Sequence, residues 1–462
     1  MNIFLILPTQ LFKDIKKLKS YDKVYLLEEP YYLNPSFHKQ KLLLHLSSMY
    51  FYFDYLKHNK IDVKYITFDK INYSQMLNSH RITMYDPIDK QMINQFKKYK
   101  VNFLDSKLFI NTNSDLLKLK KENHRYTQSE FYKYQRIKYN ILVDKNNQPL
   151  YGKWSFDVEN REKFSNDYIE SKILTYNNKY IQNAIDYMNK HYKNAFGIIP
   201  ENSAYYPCTY LDAKKHFLNF IKNKLKNFGK FQDAISKNII YGEHSNISAL
   251  LNIGLLNPHD VINTIINIFN ESNNKKQLIN SVEGIIRQII GWREYMHFIY
   301  FIYGEKILTK FNSINLNKNV PKTWYKSNST ELEIINHMIN KVQQFAYLHH
   351  IERLMVINNI MIMYNFKLKD ILKWFMTCFI DSYDWVMIPN VMMNINSLNK
   401  DSSNVRYMTR VYLGSDNYIK KMSNFNNKND CSVINKLYWD FLKKNKIILK
   451  TDYGISSQIS KI

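Results

Sequence analysis

In the stretch EGIIRQIIGWREYMHFIYFIYG, residues 283–304, apolar side chains return at the spacing of one helical face: Ile285, Ile286, Ile289, Ile290, Tyr295, Met296 and Ile299, with Val282 just before. Arg287, Gln288, Arg293 and Glu294 stand among them, beside Trp292. A helix this apolar is buried, and a buried guanidinium needs an anion or hydrogen-bond acceptors. One reading is structural: Glu283 and Arg287 pair at i,i+4, and the arginines are used up internally. The other is a helix that shows Trp292 and Arg293 to a buried anionic cofactor. Residues elsewhere in the chain decide between them.

The chain has 462 residues, more than one core usually organises, so two or three domains are expected. A hydrophobic share of 45% excludes disorder as a description of the whole. Lys and Arg number 65 against 40 Asp and Glu, and the net +25 favours a polyanionic partner, nucleic acid or an anionic membrane surface. Much of that excess is Lys scattered between Asn and Tyr, so part of it reflects coding bias and not a patch. Cys208, Cys378 and Cys431 lie far apart with no CxxC, which excludes a disulfide framework and a four-cysteine metal site. No run of 18 apolar residues occurs, and Met1-Asn2-Ile3-Phe4 reads as a first strand and not a signal peptide. A soluble, intracellular monomer with no membrane partner and no metal is expected.

Short apolar runs at 3–7, 24–27, 63–68, 82–85 and 101–104 alternate with helical patterns, clearest at 37–56. This predicts an α/β domain with a parallel, Rossmann-like sheet over residues 1–112. Gln10, Glu28, Glu29 and Asp86 follow strand ends, where such sheets bind ligands; for Glu28 and Glu29, loop solvation is an equal reading. Neither GxGxxG nor GxxxxGK[ST] is present, which argues against a dinucleotide or triphosphate clamp here. Residues 113–195 turn to Lys, Asn, Tyr and Asp with turn signals such as Asn146-Asn147-Gln148-Pro149, and read as a connector running over the surface. From 196 to 462 the segments 210–227, 247–256, 258–270, 282–303, 331–348, 359–381 and 435–444 read as helices. A large all-α domain therefore follows the sheet.

Three constellations in the helical part carry chemistry. Glu243-His244-Ser245-Asn246-Ile247-Ser248 precedes an apolar helix; serine there is ordinarily a cap, and the same geometry offers hydroxyls and free N–H groups to a phosphate. Tyr347-Leu348-His349-His350-Ile351-Glu352-Arg353 sets two histidines and an arginine in an apolar helix, with no third ligand nearby for a metal. Asp381-Ser382-Tyr383-Asp384-Trp385 places two carboxylates and a tryptophan before Pro389, with Trp374 seven residues upstream of Asp381. Tryptophans, arginines, acids and histidines on apolar helices suit a buried aromatic, anionic, redox-active cofactor better than hydrolysis. No nucleophile elbow competes with that reading.

The phrases EGIIRQIIGWREYMHFIY, YLHHIERLM, WFMTCFIDSYDWVMIPNV, SDNYIKKMS and KLYWDFL resemble the prokaryotic iron–sulfur branch of the photolyase/cryptochrome family, which includes bacterial (6-4) photolyases. The likeness continues through Phe37-His38-Lys39-Gln40-Lys41, KWSFDVENR at 153–161 and Gln232-Asp233-Ala234. It implies an α/β antenna domain, a helical domain over 196–462 holding FAD, and light-driven electron transfer from reduced flavin to a lesion flipped out of UV-damaged DNA. Carried onto this sequence, it implies FAD contacts from Ser245, Ser248, Gln288, Trp292, Arg293, Arg353, Asp381 and Asn390. It makes His350 the proton donor of (6-4) repair with His349 its neighbour, and lines the lesion pocket with Asp157, Asp233 and Tyr412. Trp374 matches a photoreduction tryptophan, and Trp324 or Tyr325 a second.

Departures from that branch are as informative. Its cluster needs four cysteines. Here the first position falls near Ile334, and the C-terminal segment reads Asn424-Phe425-Asn426-Asn427-Lys428-Asn429-Asp430-Cys431, so no iron–sulfur cluster is expected. Phe375 stands where some relatives carry tyrosine, and Met387 where an acid would support a metal beside Asp157. The first-strand motif GDQL has become Pro8-Thr9-Gln10-Leu11, which counts against a lumazine-type antenna, while Gln10 and Glu28 keep contacts for one. The reading is a DNA photolyase for (6-4) photoproducts. Its alternatives are a cryptochrome-like blue-light receptor without repair and a DNA-binding protein that has lost flavin.

Overall fold

The computed structural model describes residues 1–78, 80–122, 126–309, 314–396, 413–450 and 455–462. Five short apolar runs form one parallel sheet: β1 (Asn2–Ile6), β2 (Lys23–Leu27), β3 (Val63–Ile66), β4 (Arg81–Tyr85) and β5 (Asn102–Leu104), in the order β3-β2-β1-β4-β5. Leu5 of β1 aligns with Tyr25 of β2 and Met84 of β4, so the central strand is hydrogen-bonded on both edges. Its side chains Ile3, Phe4, Leu5 and Ile6 are buried on both faces, as a run without alternation requires. The strand order reverses between β1 and β4, and the carboxyl ends there meet the helical part: Trp385 N donates to Asp89 Oδ1 at 3.4 Å, and Tyr31 OH to Asp384 Oδ2 at 2.6 Å.

The helix Lys39–His58 covers the sheet. His38 caps it, its Nδ1 accepting from Gln40 N at 3.0 Å. Residues 113–195 do more than run over the surface: Tyr132, Arg136, Phe156 and Asn160 are buried. Tyr132 OH and Phe156 N donate to the two carboxylate oxygens of buried Glu283, at 2.8 and 3.0 Å.

The long apolar stretch read as one helix is three pieces. Lys275–Ile286 and Glu294–Thr309 are α-helical, and Arg287–Arg293 between them is a π-helical turn. Backbone crowding marks the place: a Cβ on Gly291 would lie 2.9 Å from the ring of Tyr132. A second π turn, Ile351–Asn358, follows His350. The expected helix 359–381 is also divided, into Asn359–Met363 and Leu368–Cys378, because Asn365 takes a left-handed φ of 69°. The expected helix 247–256 shortens to Ser248–Asn252.

At the C-terminal side, the helices Glu333–Phe345 and Lys428–Lys444 are joined where cluster ligands were sought. Buried Asp430 accepts from Glu333 N at 3.1 Å and Ile334 N at 2.8 Å, satisfying two amides at a helix start that would otherwise be orphaned. Cys208, Cys378 and Cys431 are buried free thiols. No helix among the described residues is long and apolar enough to cross a membrane.

Candidate functional site

The π turns, the 243–248 loop and the start of the helix Asp384–Asn396 enclose a cavity of about 860 Å³. Of the residues singled out from sequence, Asp157, Asp233, Ser245, Ser248, Gln288, Trp292, Arg293, His349, His350, Arg353, Asp381 and Asn390 line it. They come from segments more than 200 residues apart.

One wall is an ion pair. Arg353 Nη1 donates to Asp381 Oδ1 at 2.7 Å, with side-chain exposures of 11% and 13%. Arg353 Nε donates to Leu348 O at 2.5 Å, and the guanidinium lies 4.1 Å above the Phe379 ring. Ser248 spends its hydroxyl proton on Asp381 Oδ2 at 2.7 Å, and Asn252 Nδ2 donates to Asp381 O at 3.2 Å. Burial pushes the Asp381 carboxyl up, but Arg353 and the Ser248 hydroxyl outweigh it and hold it below the usual carboxylate range.

The opposite feature is an unmet demand. Arg293 is stacked over Phe109 and Trp385, at 4.4 and 4.8 Å, yet its Nε and Nη1 are out of reach of solvent and have no hydrogen-bond partner among the described residues; Nη2 reaches only Leu251 O among them, at 3.4 Å. Burial, opposed by Glu294, lowers it to about 10. Asn246, at a left-handed φ of 53°, also leaves a buried Oδ1 in the same cavity without a partner among the described residues. Glu294 cannot serve Arg293 fully, since it accepts from Ile110 N, Asn111 N and Asn111 Nδ2 at 2.8, 3.1 and 2.7 Å. A buried guanidinium without an anion is costly, and an anionic, aromatic ligand of dinucleotide size answers both the charge and the space. The residues present fit a group such as FAD, for which Arg293 and Arg353 would be the cationic contacts and Trp292 an aromatic neighbour.

A histidine cluster occupies another part of the cavity. His244 stacks on His349, ring centroids 4.9 Å apart and planes 16° from parallel, and His350 meets both edge-on at 6.0 and 5.9 Å. Burial holds His244 and His349 well below the usual imidazole range, with neighbouring cations adding to it. His350 is the exposed member, its Nε2 lying 3.4 Å from Asp233 Oδ1. Asp157 is held by Arg287 at 3.0 Å and Arg161 at 3.4 Å, so Arg287 is shared between Glu283 and a cavity carboxylate. Among the polar cavity residues, His244, Asn246 and Arg161 have no role in the sequence reading, although all three sit inside phrases already singled out, and Arg287, expected only as a partner of Glu283, also reaches the cavity. Asn390 turns its amide onto Val386 O at 2.7 Å, in the helix that contains Pro389.

The remaining candidates lie elsewhere. Trp374 is fully buried and donates from Nε1 to Trp324 O at 2.8 Å; it touches Phe375, which lines the cavity, at 5.4 Å. Trp324 packs on Phe366 at 5.4 Å, and Tyr325 on Phe196 at 6.0 Å. Gln10 spends its amide on Leu7 N and Tyr85 O, at 3.2 and 2.7 Å. Glu28 accepts from Tyr65, Tyr187 and Phe68 N, at 2.7, 2.8 and 3.2 Å, so both antenna candidates are engaged by the chain itself. Tyr412 lies outside the described residues. No group of three His, Cys, Asp or Glu that could hold a metal occurs among the described residues.

Comparison with known proteins gives concordant results. The model of the deoxyribodipyrimidine photo-lyase-related protein family matches residues 4–203. A (6-4) photolyase of Agrobacterium fabrum is 31% identical over 342 residues, which cover 71% of this chain and 65% of that relative, just under two thirds of its length. The crystal structure of a Synechocystis cryptochrome superposes with a TM-score of 0.55 at 11% identity, over 100% of this chain and 93% of the other. An archaeal photolyase from Sulfolobus tokodaii, solved with two FAD molecules, gives 0.50 at 13% identity, over 100% and 94%.

Proposed function

We propose that the chain, which carries the photolyase fold and matches the photolyase-related family model over residues 4–203, belongs to that family and is a light-driven DNA photolyase acting on (6-4) pyrimidine–pyrimidone photoproducts. The observation that carries this reading is one cavity in which an unpartnered Arg293, a buried Arg353–Asp381 pair and the His350–Asp233 pair come together. When bound, FAD supplies light absorption and the electron that splits the lesion. Arg353 and Arg293 bind it by charge, and Asp381 keeps Arg353 from turning away. His350 faces Asp233 through Nε2 and is the exposed imidazole of the cluster, the position from which a proton at Nε2 can reach a flipped-out base. His244 and His349, held neutral, pack behind it and keep water from that side.

Arg161 and Lys421 at the same cavity, with the net charge of +25, support a DNA partner bound through its phosphates. Trp374, one aromatic layer behind Phe375, would re-reduce the cofactor, with Trp324 next; the Trp374–Phe375 contact supports that reading. The test uses the full-length protein reconstituted with FAD and illuminated with oligonucleotides bearing a single (6-4) lesion or a single cyclobutane dimer. Restoration of the (6-4) lesion to normal pyrimidines, lost in His350→Ala with flavin retained, is expected. Photoreduction without repair of either lesion overturns repair and favours a blue-light receptor.

A further inference from the structure

The phrase Phe37-His38-Lys39-Gln40-Lys41 belongs to the sheet part, yet its polar atoms reach into the helical part. His38 Nε2 lies 3.0 Å from Gln343 O, and Gln40 Nε2 donates to Ile198 O at 3.0 Å. Gly197 is shaped to this contact, for a Cβ there would fall 1.9 Å from the His38 ring. Lys41 goes deepest. It is 1% exposed, its Nζ donates to Ser382 O and stands 3.4 Å from Ser382 Oγ, and its ammonium sits over Phe37 and Tyr383 at 3.9 and 4.5 Å.

Ser382 follows Asp381, whose carboxylate orients Arg353 in the cavity. The turn carrying both is tied at each end: Asn252 holds Asp381 O, and Ser382 Oγ donates to Phe379 O at 2.7 Å and Met376 O at 3.0 Å. Only Lys41 reaches this turn from the sheet part by a charged donor among the described residues. Burying a lysine is costly, and two neighbouring aromatic faces with one backbone carbonyl offset only part of that cost. The charges facing it are the carboxyls of Asp89 and Asp384 and, more remotely, Asp381 itself; burial outweighs them and lowers Lys41 to about 7. A merely structural contact at this place would be met more cheaply by an apolar side chain.

We propose that Lys41 is a positioning residue of the cofactor site: by holding the Ser382 carbonyl from the sheet part, it fixes the turn that presents Asp381 to Arg353. The proposal rests on the reading of the cavity as a flavin site. Lys41→Met keeps the stem that packs on Phe37 and Tyr383 and removes the donor, while Gln40→Met removes another hydrogen bond across the same interface, the one to Ile198 O, without touching the Asp381 turn.

In the flavin-free full-length protein, amides of residues 380–386 in Lys41→Met should exchange about tenfold faster than in the wild type, with the sheet unchanged. FAD affinity should fall by about tenfold in Lys41→Met and stay within twofold in Gln40→Met. Equal exchange at 380–386 in Lys41→Met and wild type overturns the proposal. So does protection lost alike across sheet and helices, or failure of the variant to fold, since Lys41 would then hold the fold and not the turn. A wild type that binds no FAD refutes the flavin reading separately, and the exchange arm still judges Lys41.

Discussion

Arg353 Nη1 and Asp381 Oδ1 meet at 2.7 Å across 28 residues of sequence, and neither side chain is more than 13% exposed. Removing one partner leaves the other as an uncompensated buried charge. Asp381→Asn should therefore cost about 3 kcal/mol of stability at neutral pH, read by urea denaturation. The sign with pH follows from the lowered carboxyl. Its contribution is complete above the unfolded value of about 4 and is lost as pH falls through the lower folded value. The gap between wild type and Asp381→Asn should close below about pH 4; a gap that persists there would show that the loss is one of packing and not of charge.

Arg293 makes the opposite prediction. Its Nε and Nη1 have no partner among the described residues, so the free protein carries a desolvation cost that a ligand would relieve. Arg293→Met should stabilise the flavin-free protein by about 1 kcal/mol and weaken FAD binding by about tenfold. Thermal melting with and without FAD reads both at once. A variant that loses stability without ligand would mean that the guanidinium already has an adequate partner.

His297 lies flat against Phe109, ring centroids 3.8 Å apart, with Nδ1 unpartnered among the described residues, and burial lowers it to about 3. Between that value and the unfolded value of about 6.5, the unfolded chain binds the proton and the folded chain does not. Folding is thus penalised progressively as pH drops from about 6.5, and the penalty is absent above it. His297→Phe keeps the stack and removes the proton site. Its stability relative to wild type should rise steadily from pH 6.5 to about 4 in paired urea melts; a flat difference would count against a buried neutral imidazole.

Asp430 joins the helices Glu333–Phe345 and Lys428–Lys444 through two amides. Asp430→Ala should cost about 1–2 kcal/mol, with the loss of amide protection concentrated at residues 333–337 and in the C-terminal helix. An unchanged melting temperature would assign the junction to packing around His337 and Phe425, whose rings lie 5.2 Å apart.

The strands were legible because a two-sided parallel strand is a short unbroken apolar run, and each run expected from sequence lies within a few residues of β1 to β5. The local pair Glu283–Arg287 was legible for a similar reason, since four residues set its spacing. The π turns were not: apolar residues fill both sides of 282–303, so the pattern tolerates a shift in phase and does not record it. The break at Asn365 had a weak signal in Asn itself, one of the few residues at ease at positive φ. The pairs Arg287–Asp157 and His350–Asp233 depend on how segments more than 100 residues apart are brought together, and no local spacing encodes them. For these the family likeness supplied the residues, and the fold supplied the partners.

A π turn holds one residue more than the α-helical path it interrupts. Deleting a single residue within Arg287–Arg293 would let the wide turn close to an α-helical one, leaving the helix beyond it nearly in phase but drawing the turn's own side chains away from where they now project. Trp292 and Arg293 would leave the cavity together, whereas most single substitutions nearby would leave them in place. The same holds for Arg353 in Ile351–Asn358. The site is therefore guarded less by the identity of its neighbours than by the length of the chain, and its weakest point is a frame-preserving loss of one codon.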